Sequence, residues 1–509
     1  MTSTIDVMMH ISIEKKCGVL LLVCFCVNIC YLSYKITNPL RELEHGFRQC
    51  QTAVSAYWLK KEGIRLDYQT PIMGSDWRIP IEFPSYQIVV ALFSSVSSLS
   101  IDLCGRIISI AFFYGSLAVM YGIINFLFSY KALSYCILSF TLINPIYLFW
   151  PRAFLYETTA LFFSVLYLYF FLVSIKNKNL VIYIACIIAG ALSSMTKITT
   201  FCIFILPAFV YVFIDKKEKI KWLYFFISIC IPVAMSLLWN SYTDTFKNQH
   251  LIANVLNAKN HLDAWILWEF SERINIETWK KIFTDSLFIV KLFPFFILLY
   301  KLKYWLPAMF CLLFWILGPA LFTRLYYVHG YYNIANSLFL SAFVGFIFYS
   351  ILIKGDILSR WVCFFLFAFI GYTYHHKHSF YFKQSLETDY TDIFYTSNLV
   401  KRYVKEGESF MVMHHDWYAD LPYYAERKCI MIPGWFKLNE HSISKLEEKV
   451  ITDKVIGIAL RGDLPSKDSD TYKAITSLGF DPEHPIAISE DQYWWHWYVK
   501  KNLFSVGLK

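Results

Sequence analysis

Charged residues are scarce in this 509-residue chain: Asp, Glu, Lys and Arg make up 17% of it, against about 25% in soluble globular proteins. The mean hydropathy is +0.44, and long runs such as residues 17–31 and 305–322 carry almost no charge. A stretch of about 20 apolar residues crosses the hydrocarbon core of a bilayer. The shortage of charge therefore excludes an ordinary soluble protein and predicts a polytopic membrane protein.

Several chemical signatures are also missing. The 13 cysteines form no CxxC pair and no Cys/His ligand spacing, so neither a disulfide framework nor a zinc site is indicated. Most of them fall inside apolar spans, where cysteine acts as a small hydrophobe. Cys50 and Cys429 lie outside the spans, and a bridge between them is a minor alternative. Walker, dinucleotide and other Gly-rich phosphate motifs are absent, which argues against cytoplasmic nucleotide chemistry; no cofactor or divalent metal is indicated.

The net charge of +9 does not indicate a nucleic-acid partner. From His376 onward, 17 Lys and Arg stand against 19 Asp and Glu, which gives the tail −2 and leaves +11 for the apolar part. A nucleic-acid protein would concentrate its basic residues on a soluble domain. Here the excess lies between apolar spans, so we expect membrane topology to explain it.

Eleven spans are predicted, with edges uncertain by several residues. They are centred on residues 17–36, 105–128, 132–150, 157–175, 180–196, 199–214, 221–240, 286–300, 304–323, 334–353 and 357–375. With a cytoplasmic N-terminus, the inside loops hold most of the lysines of residues 1–375, as the positive-inside rule requires. The first apolar segment lacks a small-residue cleavage site, so we expect a retained helix and not a signal peptide.

This topology predicts two domains. Residues 1–375 form a transmembrane domain with two large outer loops, 37–104 and 242–285, and residues 376–509 form an extracytoplasmic domain. In the latter, the strand-like runs SFMVMHH, KCIMIP and KVIGIAL alternate with helical segments. Strands that alternate with helices predict a small α/β layer.

Polar residues at the outer ends of spans are the informative feature, because ionisable groups near lipid are costly. In the first outer loop, Glu44 and His45 precede Arg48 and Gln49, and Glu44 and Arg48 stand at i and i+4. One interpretation is a surface ion pair on an interfacial helix. The other is a carboxylate or imidazole that acts as general base beside a guanidinium that binds an anionic leaving group.

An ordered set of short motifs gives the chain a family resemblance. HGFRQCQTA, TPIMGSDWRIPIEFPSYQ, WPRAFLYETTALFF, SSMTKITT and YYVHGYYNIANS follow one another between residues 40 and 335, with a looser match at DWYADLPYYAERKCIMIP. This order resembles bacterial integral-membrane glycosyltransferases of the GT-C superfamily. The similarity is greatest to the branch that contains protein O-mannosyltransferases and lipid A aminoarabinose transferases.

The resemblance implies a membrane enzyme that takes a sugar from a polyprenyl-phosphate carrier and attaches it to an acceptor on the outer face. In that family an acidic residue of the first outer loop, often within a DExR motif, serves as base. Counting back three residues from Arg48 reaches His45, so this chain departs from the motif. Glu44 and His45 are equal candidates for the base, and Glu82 of the EFP motif ranks behind them as a catalytic, acceptor-binding or structural carboxylate.

Departure of a polyprenyl phosphate requires cationic and hydrogen-bonding groups. The candidates for binding the donor phosphate are Arg48, Gln49, Arg152, Lys197, Arg324 and His329. Lys197 is the most telling, because it lies between two predicted spans with almost no loop and against the positive-inside trend; a lysine that snorkels to the interface is the alternative. Glu157, five residues after Arg152, is a candidate for the structural ion-pair partner of that arginine.

Aromatic residues are candidates for sugar or acceptor binding. Tyr331 and Tyr332 follow His329 at a predicted membrane edge. They are candidates for stacking on a sugar ring, and the alternative is that they belong to an interfacial aromatic belt. Trp265 and Trp268 in the second outer loop are equally compatible with an acceptor groove and with a surface that lies flat on the membrane. The final run QYWWHWYVKKN fits membrane docking or carbohydrate stacking, and equally an ordinary buried strand.

The function predicted from sequence is transfer of a sugar, a hexose such as glucose, from a polyprenyl-phosphate donor to a surface glycan or lipid-linked acceptor. The expected setting is the periplasmic face of a bacterial inner membrane, with O-antigen modification as one possibility. A transporter or flippase for a polyprenyl-linked glycan, or a glycan polymerase or ligase, is the alternative. Transporters place ionisable residues at the bilayer midplane, whereas here the charges gather at one end of the spans.

Overall fold

The computed structural model describes residues 4–41, 46–214, 219–261, 270–283, 303–353, 391–487 and 495–500, with Trp361, Phe365, Ala368 and Tyr372. The chain forms two compact units. Unit 1 comprises residues 1–36, 106–239 and 259–383, and unit 2 comprises residues 37–105, 240–258 and 384–509. The first outer loop therefore belongs to the same compact unit as the C-terminal region.

Helices dominate the described chain. In order they are α1 (Thr4–Ser33), α2 (Gly46–Glu62), α3 (Ser85–Ser97), α4 (Ile101–Phe128), α5 (Lys131–Leu142), α6 (Pro145–Phe149), α7 (Glu157–Asn177), α8 (Leu180–Ile214), α9 (Lys219–Lys247), α10 (Ala258–His261), α11 (Phe270–Ile274), α12 (Ile276–Ile282), α13 (Trp305–Leu321), α14 (Thr323–Val328), α15 (Asn333–Leu352), α16 (Thr391–Tyr403), α17 (Asp420–Ala425), α18 (Glu440–Thr452) and α19 (Asp470–Ser477). The strands are β1 (Ser409–Met413), β2 (Lys428–Ile432), β3 (Val455–Arg461), β4 (Ile486–Ala487) and β5 (Trp495–Val499).

Among the described residues, six helices are long and apolar enough to cross a membrane, or seven if a bent pair is one span. They confirm a multi-pass helical protein. The predicted spans 286–300 and, apart from four single residues, 357–375 lie outside the described residues. The predicted span 304–323 corresponds to α13, a shorter apolar helix. The count of eleven thus stays a prediction.

Two predicted spans have a more complex form. The segment 132–150 is broken between α5 and α6, with a bend of 70°. Asn144 caps α6 by accepting a hydrogen bond from Ile146 N, and Pro145 opens the helix at its first position, as prolines often do. The segments 180–196 and 199–214 form the single element α8, whose helical geometry is interrupted at Lys197 (φ −160°, ψ 94°).

The first helix is an integral part of unit 1. Asn28 of α1 is fully buried, and its Nδ2 donates to the carbonyls of Leu142 at 2.7 Å and Tyr147 at 3.0 Å. Its Oδ1 accepts from the Tyr114 hydroxyl at 2.8 Å. A buried amide with all these bonds fixes the position of α1 against its neighbours.

Unit 2 is built on a five-stranded sheet of order β2-β1-β3-β5-β4. The strands β1, β2 and β3 are parallel, while β5 runs antiparallel to β3 and β4. Every residue of β1 is buried, as expected of a strand covered on both faces. The predicted strands SFMVMHH, KCIMIP and KVIGIAL are confirmed, as is the small α/β layer.

The first outer loop supplies a partner for the edge of this sheet. The backbone N–H groups of Cys429 and Met431 donate to the carbonyls of Pro71 and Ile72, both at 3.0 Å, and Met73 forms an antiparallel bridge with Ile430. An open edge strand is a hazard for aggregation. Residues 71–73 therefore close the β2 edge with backbone from more than 350 positions earlier in the chain.

Two alternatives from the sequence are decided in this unit. Cys50 and Cys429 are both buried thiols that do not form a disulfide with each other. The aromatic run near the C-terminus includes the buried strand β5, in which Trp495 and Trp497 have no exposed surface. These two indoles are core residues and are not platforms for membrane or carbohydrate.

Stability of unit 2 is expected to fall in acid through His250. Its imidazole is buried, Nε2 donates to the Gly74 carbonyl at 3.0 Å, and Nδ1 accepts from the N–H groups of Ile252 and Ala253 at 3.4 Å. This neutral form is favoured because burial lowers the pKa of His250 below its usual value. The unfolded chain thus takes up the proton first, and stability is lost as the pH falls below about 6.5, by at most about 1.4 kcal/mol per pH unit.

Thermal unfolding of the solubilised protein across this pH range measures the effect. His250→Gln is expected to flatten the acid limb, while His441→Gln, at an exposed position of α18, should leave it as it is. An acid limb of equal slope in the wild type and His250→Gln would contradict the assignment.

Candidate functional site

In unit 1, Lys197 lies at the break in α8 and is almost completely buried, with 8% of its surface exposed. Its Nζ is 2.9 Å from Oε2 of Glu157, which is 3% exposed. The same Nζ lies over the Tyr332 ring, 3.4 Å from its centroid, and 5.1 Å from that of Tyr331. Lys197 is therefore a buried, ion-paired cation and does not snorkel to an interface.

The tyrosines that face Lys197 come from a distorted segment between α14 and α15. His329 follows α14, and Gly330–Tyr332 form a 3₁₀ turn. The His329 ring stacks on Tyr331 and Tyr332, with centroids 5.2 and 5.9 Å apart. The structure thus brings together four residues predicted from sequence to bind donor or sugar: Lys197, His329, Tyr331 and Tyr332.

This cluster has the chemistry to bind an anion or a sugar. A lysine paired with a carboxylate and packed against aromatic faces is held in one position, and the aromatic faces stabilise its charge by about 2 kcal/mol when water is excluded. Imidazole and phenol groups add hydrogen-bonding capacity next to it. Arg324, another predicted phosphate ligand, is half-buried on α14, which leads directly into the segment.

Arg152 has a structural task in unit 1. It is buried, and its guanidinium donates to the carbonyls of Tyr34 and Lys35, just after α1. Arg106, which sequence reasoning did not single out, donates to the Ile36 carbonyl at 2.7 Å. Two buried arginines thus satisfy carbonyls at the C-terminal end of α1, where the helix dipole favours positive charge.

In unit 2, Arg48 of α2 forms an ion pair with Glu82, and both side chains are largely buried. Arg48 also donates to Oε1 of Gln51 at 2.9 Å. The phenol of Tyr68 fixes the backbone around Glu82, since it accepts from the Ile81 and Glu82 N–H groups and donates to the Glu82 carbonyl. The structure thus joins a predicted phosphate ligand to a predicted carboxylate.

The remaining predicted site residues divide into two groups. Gln49 is fully buried within α2. The two base candidates Glu44 and His45 and the two loop tryptophans Trp265 and Trp268 lie outside the described residues. Glu44 and His45 immediately precede α2, which begins at Gly46.

A buried polar network in unit 2 was missed from sequence. Arg41 pairs with Asp392 and, at 3.2 Å, with Asp420. His415 donates from Nε2 to Asp420 at 2.8 Å, and its Nδ1 accepts from Arg461 at 2.7 Å. Both imidazole nitrogens are engaged, so this histidine is a structural link. The contacts of this network join residues 5, 46 and more than 350 positions apart in sequence, so no local pattern signals it.

Within the described part of the chain, no group of three or more His, Cys, Asp and Glu side chains could hold a metal ion. The ionisable clusters place cations against carboxylates, in single pairs such as Lys197–Glu157 or in small networks such as that of Arg41. The chemistry they offer is therefore binding of anions, proton transfer and hydrogen bonding to hydroxyl groups.

No protein-family profile matches the sequence, and no curated protein matches it. Solved structures do match. ArnT from Cupriavidus metallidurans bound to undecaprenyl phosphate has a TM-score of 0.58 at 10% identity, over 94% of this chain and 97% of that chain. The archaeal oligosaccharyltransferase AglB from Archaeoglobus fulgidus, in complex with an inhibitory peptide and a dolichol-phosphate, has a TM-score of 0.57 at 10% identity, over 93% and 71%.

Both structures are GT-C superfamily membrane glycosyltransferases. The apo form of ArnT also matches, with a TM-score of 0.56 at 11% identity over 88% of this chain and 93% of that chain. The resemblance to the GT-C superfamily is thereby confirmed at the level of the fold.

Proposed function

We propose that the chain is a multi-pass membrane glycosyltransferase that moves a sugar from a polyprenyl-phosphate-linked donor to an acceptor hydroxyl. The observation that carries the proposal is a fold shared over 94% of the chain with a transferase crystallised with undecaprenyl phosphate. The buried aromatic and cationic cluster of unit 1 supports it, because a lipid-linked phosphate needs a cation at a water-excluding position.

The reaction follows from the donor's chemistry. The acceptor hydroxyl loses its proton to a base and its oxygen forms a bond to the anomeric carbon, while the bond from that carbon to the phosphate oxygen breaks. The leaving polyprenyl phosphate takes the electron pair and one more negative charge. Proton removal and charge stabilisation are thus the two tasks of the protein.

For charge stabilisation we propose the residues that the sequence predicts for it, above all Lys197, Arg324, His329 and Arg48. Lys197 is supported by its fixed position against Tyr331 and Tyr332. Arg152 and Gln49 are retained as donor-site candidates of lower rank, because two of Arg152's hydrogen bonds serve the end of α1 and Gln49 is buried inside α2.

For proton removal we propose Glu44 or His45, next to α2. Glu82 is supported as the carboxylate that orients Arg48, since the two form an ion pair. The loop residues Trp265 and Trp268, with Tyr331 and Tyr332, are proposed to contact the transferred sugar or its acceptor.

The finer features of the function are proposals of the same kind. We propose that the transferred sugar is a hexose such as glucose, and that the acceptor is a surface glycan or a lipid-linked glycan such as an O-antigen. The distribution of lysines between the spans supports an N-terminus in the cytoplasm and catalysis on the outer face of a bacterial inner membrane.

Transfer is tested with membranes that contain the full chain and with matched membranes that lack it. Both are given polyprenyl-phosphate-linked glucose, or another polyprenyl-phosphate sugar, and a lipid-linked glycan, and the product mass is followed. A gain of one hexose only with the chain supports the proposal. No transfer from any of several donors contradicts it, and movement of the glycan across the bilayer without a change of mass would identify a flippase.

A further inference from the structure

A cavity of about 460 Å³ lies in unit 2 at the carboxyl ends of β1 and β2. Its walls include Met413 and Ile432, the last residues of these strands, and the segment 433–439 that leads into α18. Asp470 and Thr471, at the start of α19, complete it. The volume falls within the range of about 300–1,000 Å³ that is typical of ligand sites.

The strand order explains why the cavity is there. β2 lies on one side of β1 and β3 on the other, and all three are parallel. The chain therefore leaves β1 towards one side and, after β2, crosses back over β1 to reach β3. Because such crossovers are right-handed, α17 and α18 cover opposite faces of the sheet. The loops after β1 and β2 diverge, which opens the crevice where parallel α/β sheets bind ligands.

The lining combines apolar and polar side chains, and its most exposed aromatic ring is that of Trp435. Trp435 is 52% exposed, and the edge-to-face contact with Trp417, at 5.5 Å between centroids, supports it from one side. At the mouth of the cavity, this indole presents a large flat apolar face together with an N–H donor. It offers an apolar face beside hydrogen-bonding groups.

Those groups come from both loops and both helix starts. His414, the first residue after β1, has φ of +62°, a left-handed conformation that is uncommon for a residue with a side chain. Its Nε2 is 2.9 Å from Thr471 Oγ1. Lys437, Asn439 and Asp470 add an ammonium, an amide and a carboxylate to the lining. Asn439 uses Oδ1 to cap α18, and that bond does not involve its Nδ2.

We propose that this cavity binds a pyranose ring of a glycan. Trp435 provides the face on which the C–H groups of the ring stack, and Asp470 and Asn439 accept from and donate to its hydroxyls. Planar polar side chains beside an exposed indole match a ring that has both an apolar face and an equatorial belt of hydroxyls. Because Trp435, His414 and Lys437 are all exposed, the site is open and suits one unit of a longer glycan.

This inference rests on the proposed function and deepens it, because it adds a glycan-binding site to the transferase. Its test measures binding alone, so that the two fail independently. Transfer without binding at the cavity would overturn the inference and leave the function standing. Binding without transfer would contradict the proposed function and leave the glycan site standing.

The full-length chain is placed in lipid nanodiscs, because maltoside detergents carry pyranose headgroups themselves. It is screened against bacterial surface oligosaccharides released from their lipid carriers, and the affinity of each ligand is measured by calorimetry. Trp435→Ala is expected to weaken binding about tenfold or more, which corresponds to the loss of one aromatic stacking contact. Asp470→Asn should weaken it as well, with unchanged thermal stability.

Tyr395→Ala is the matched control, since Tyr395 is an equally exposed aromatic residue of the same unit, on α16, and does not line the cavity. It should bind as the wild type does. No glycan binding at millimolar concentration, equal losses in Trp435→Ala and Tyr395→Ala, or capture of a peptide in place of a glycan would each overturn the proposal.

Discussion

Replacing both candidate bases, Glu44→Gln together with His45→Ala, is expected to lower the rate of sugar transfer by about 100- to 10,000-fold, the range that general-base catalysis contributes. An acceptor hydroxyl is a weak nucleophile while it keeps its proton. Donor binding should be nearly unchanged, because these groups act on the acceptor. The measurement is kcat and KM for the donor in reconstituted membranes.

The single variants assign the role. If His45 is the base, activity in the wild type falls as the pH drops through about 6.5, whereas a carboxylate base sustains activity to about pH 4.3. The variant that removes the base should also remove this acid limb. Unchanged activity in the double variant would contradict both assignments. A loss of the same size in Glu82→Gln would move the base to the carboxylate that pairs with Arg48.

Removing one member of the Lys197–Glu157 pair is expected to cost about 3–5 kcal/mol of stability, because the other charge is left buried and uncompensated. Both side chains are less than a tenth exposed. Lys197→Met and Glu157→Gln should therefore each lower the unfolding temperature strongly. The double variant should recover most of the lost stability, since no buried charge remains. The unfolding temperature of the purified protein measures the effect.

Activity in the same three variants separates a structural from a binding role. If Lys197 binds the donor phosphate, the double variant is stable yet has a raised KM for the donor. Ser164→Ala tests a buried position on α7 that hydrogen-bonds to Ser193 and carries no charge, and it should keep the wild-type KM. A double variant with wild-type kinetics would show that the pair serves only the fold.

The apolar spans were predictable because each is coded locally. Helices such as α4, α7 and α15 follow from uninterrupted apolar runs, and the strands β1, β2 and β3 follow from short apolar runs between polar segments. At Lys197 the sequence indicates only two predicted spans with almost no loop between them, and not a break within one helix. Lys197 departs from helical geometry where it contacts Glu157 and Tyr332. Both partners come from other parts of the chain, so the local sequence does not reveal them.

The candidate site was predictable in residue type and less so in arrangement. Lys197 and His329 stood out because cations are unexpected near lipid, and the structure brings them to the same tyrosines. The network of Arg41, Asp420 and His415 and the cavity beside Trp435 depend on which strands become neighbours. Sequence patterns specify strands and helices, but the order of strands in a sheet is set by long-range packing.

The pairing of residues 71–73 with β2 has a consequence for biosynthesis. The segment is made early, but its partner at 429–431 is translated only after some 350 further residues that include most of the membrane helices. Until then the early segment has no backbone partner there, and a nascent chain halted before β2 lacks the strand it pairs with. Formation of this pairing is thus a late event that requires translation through β2, and such long-range contacts form slowly.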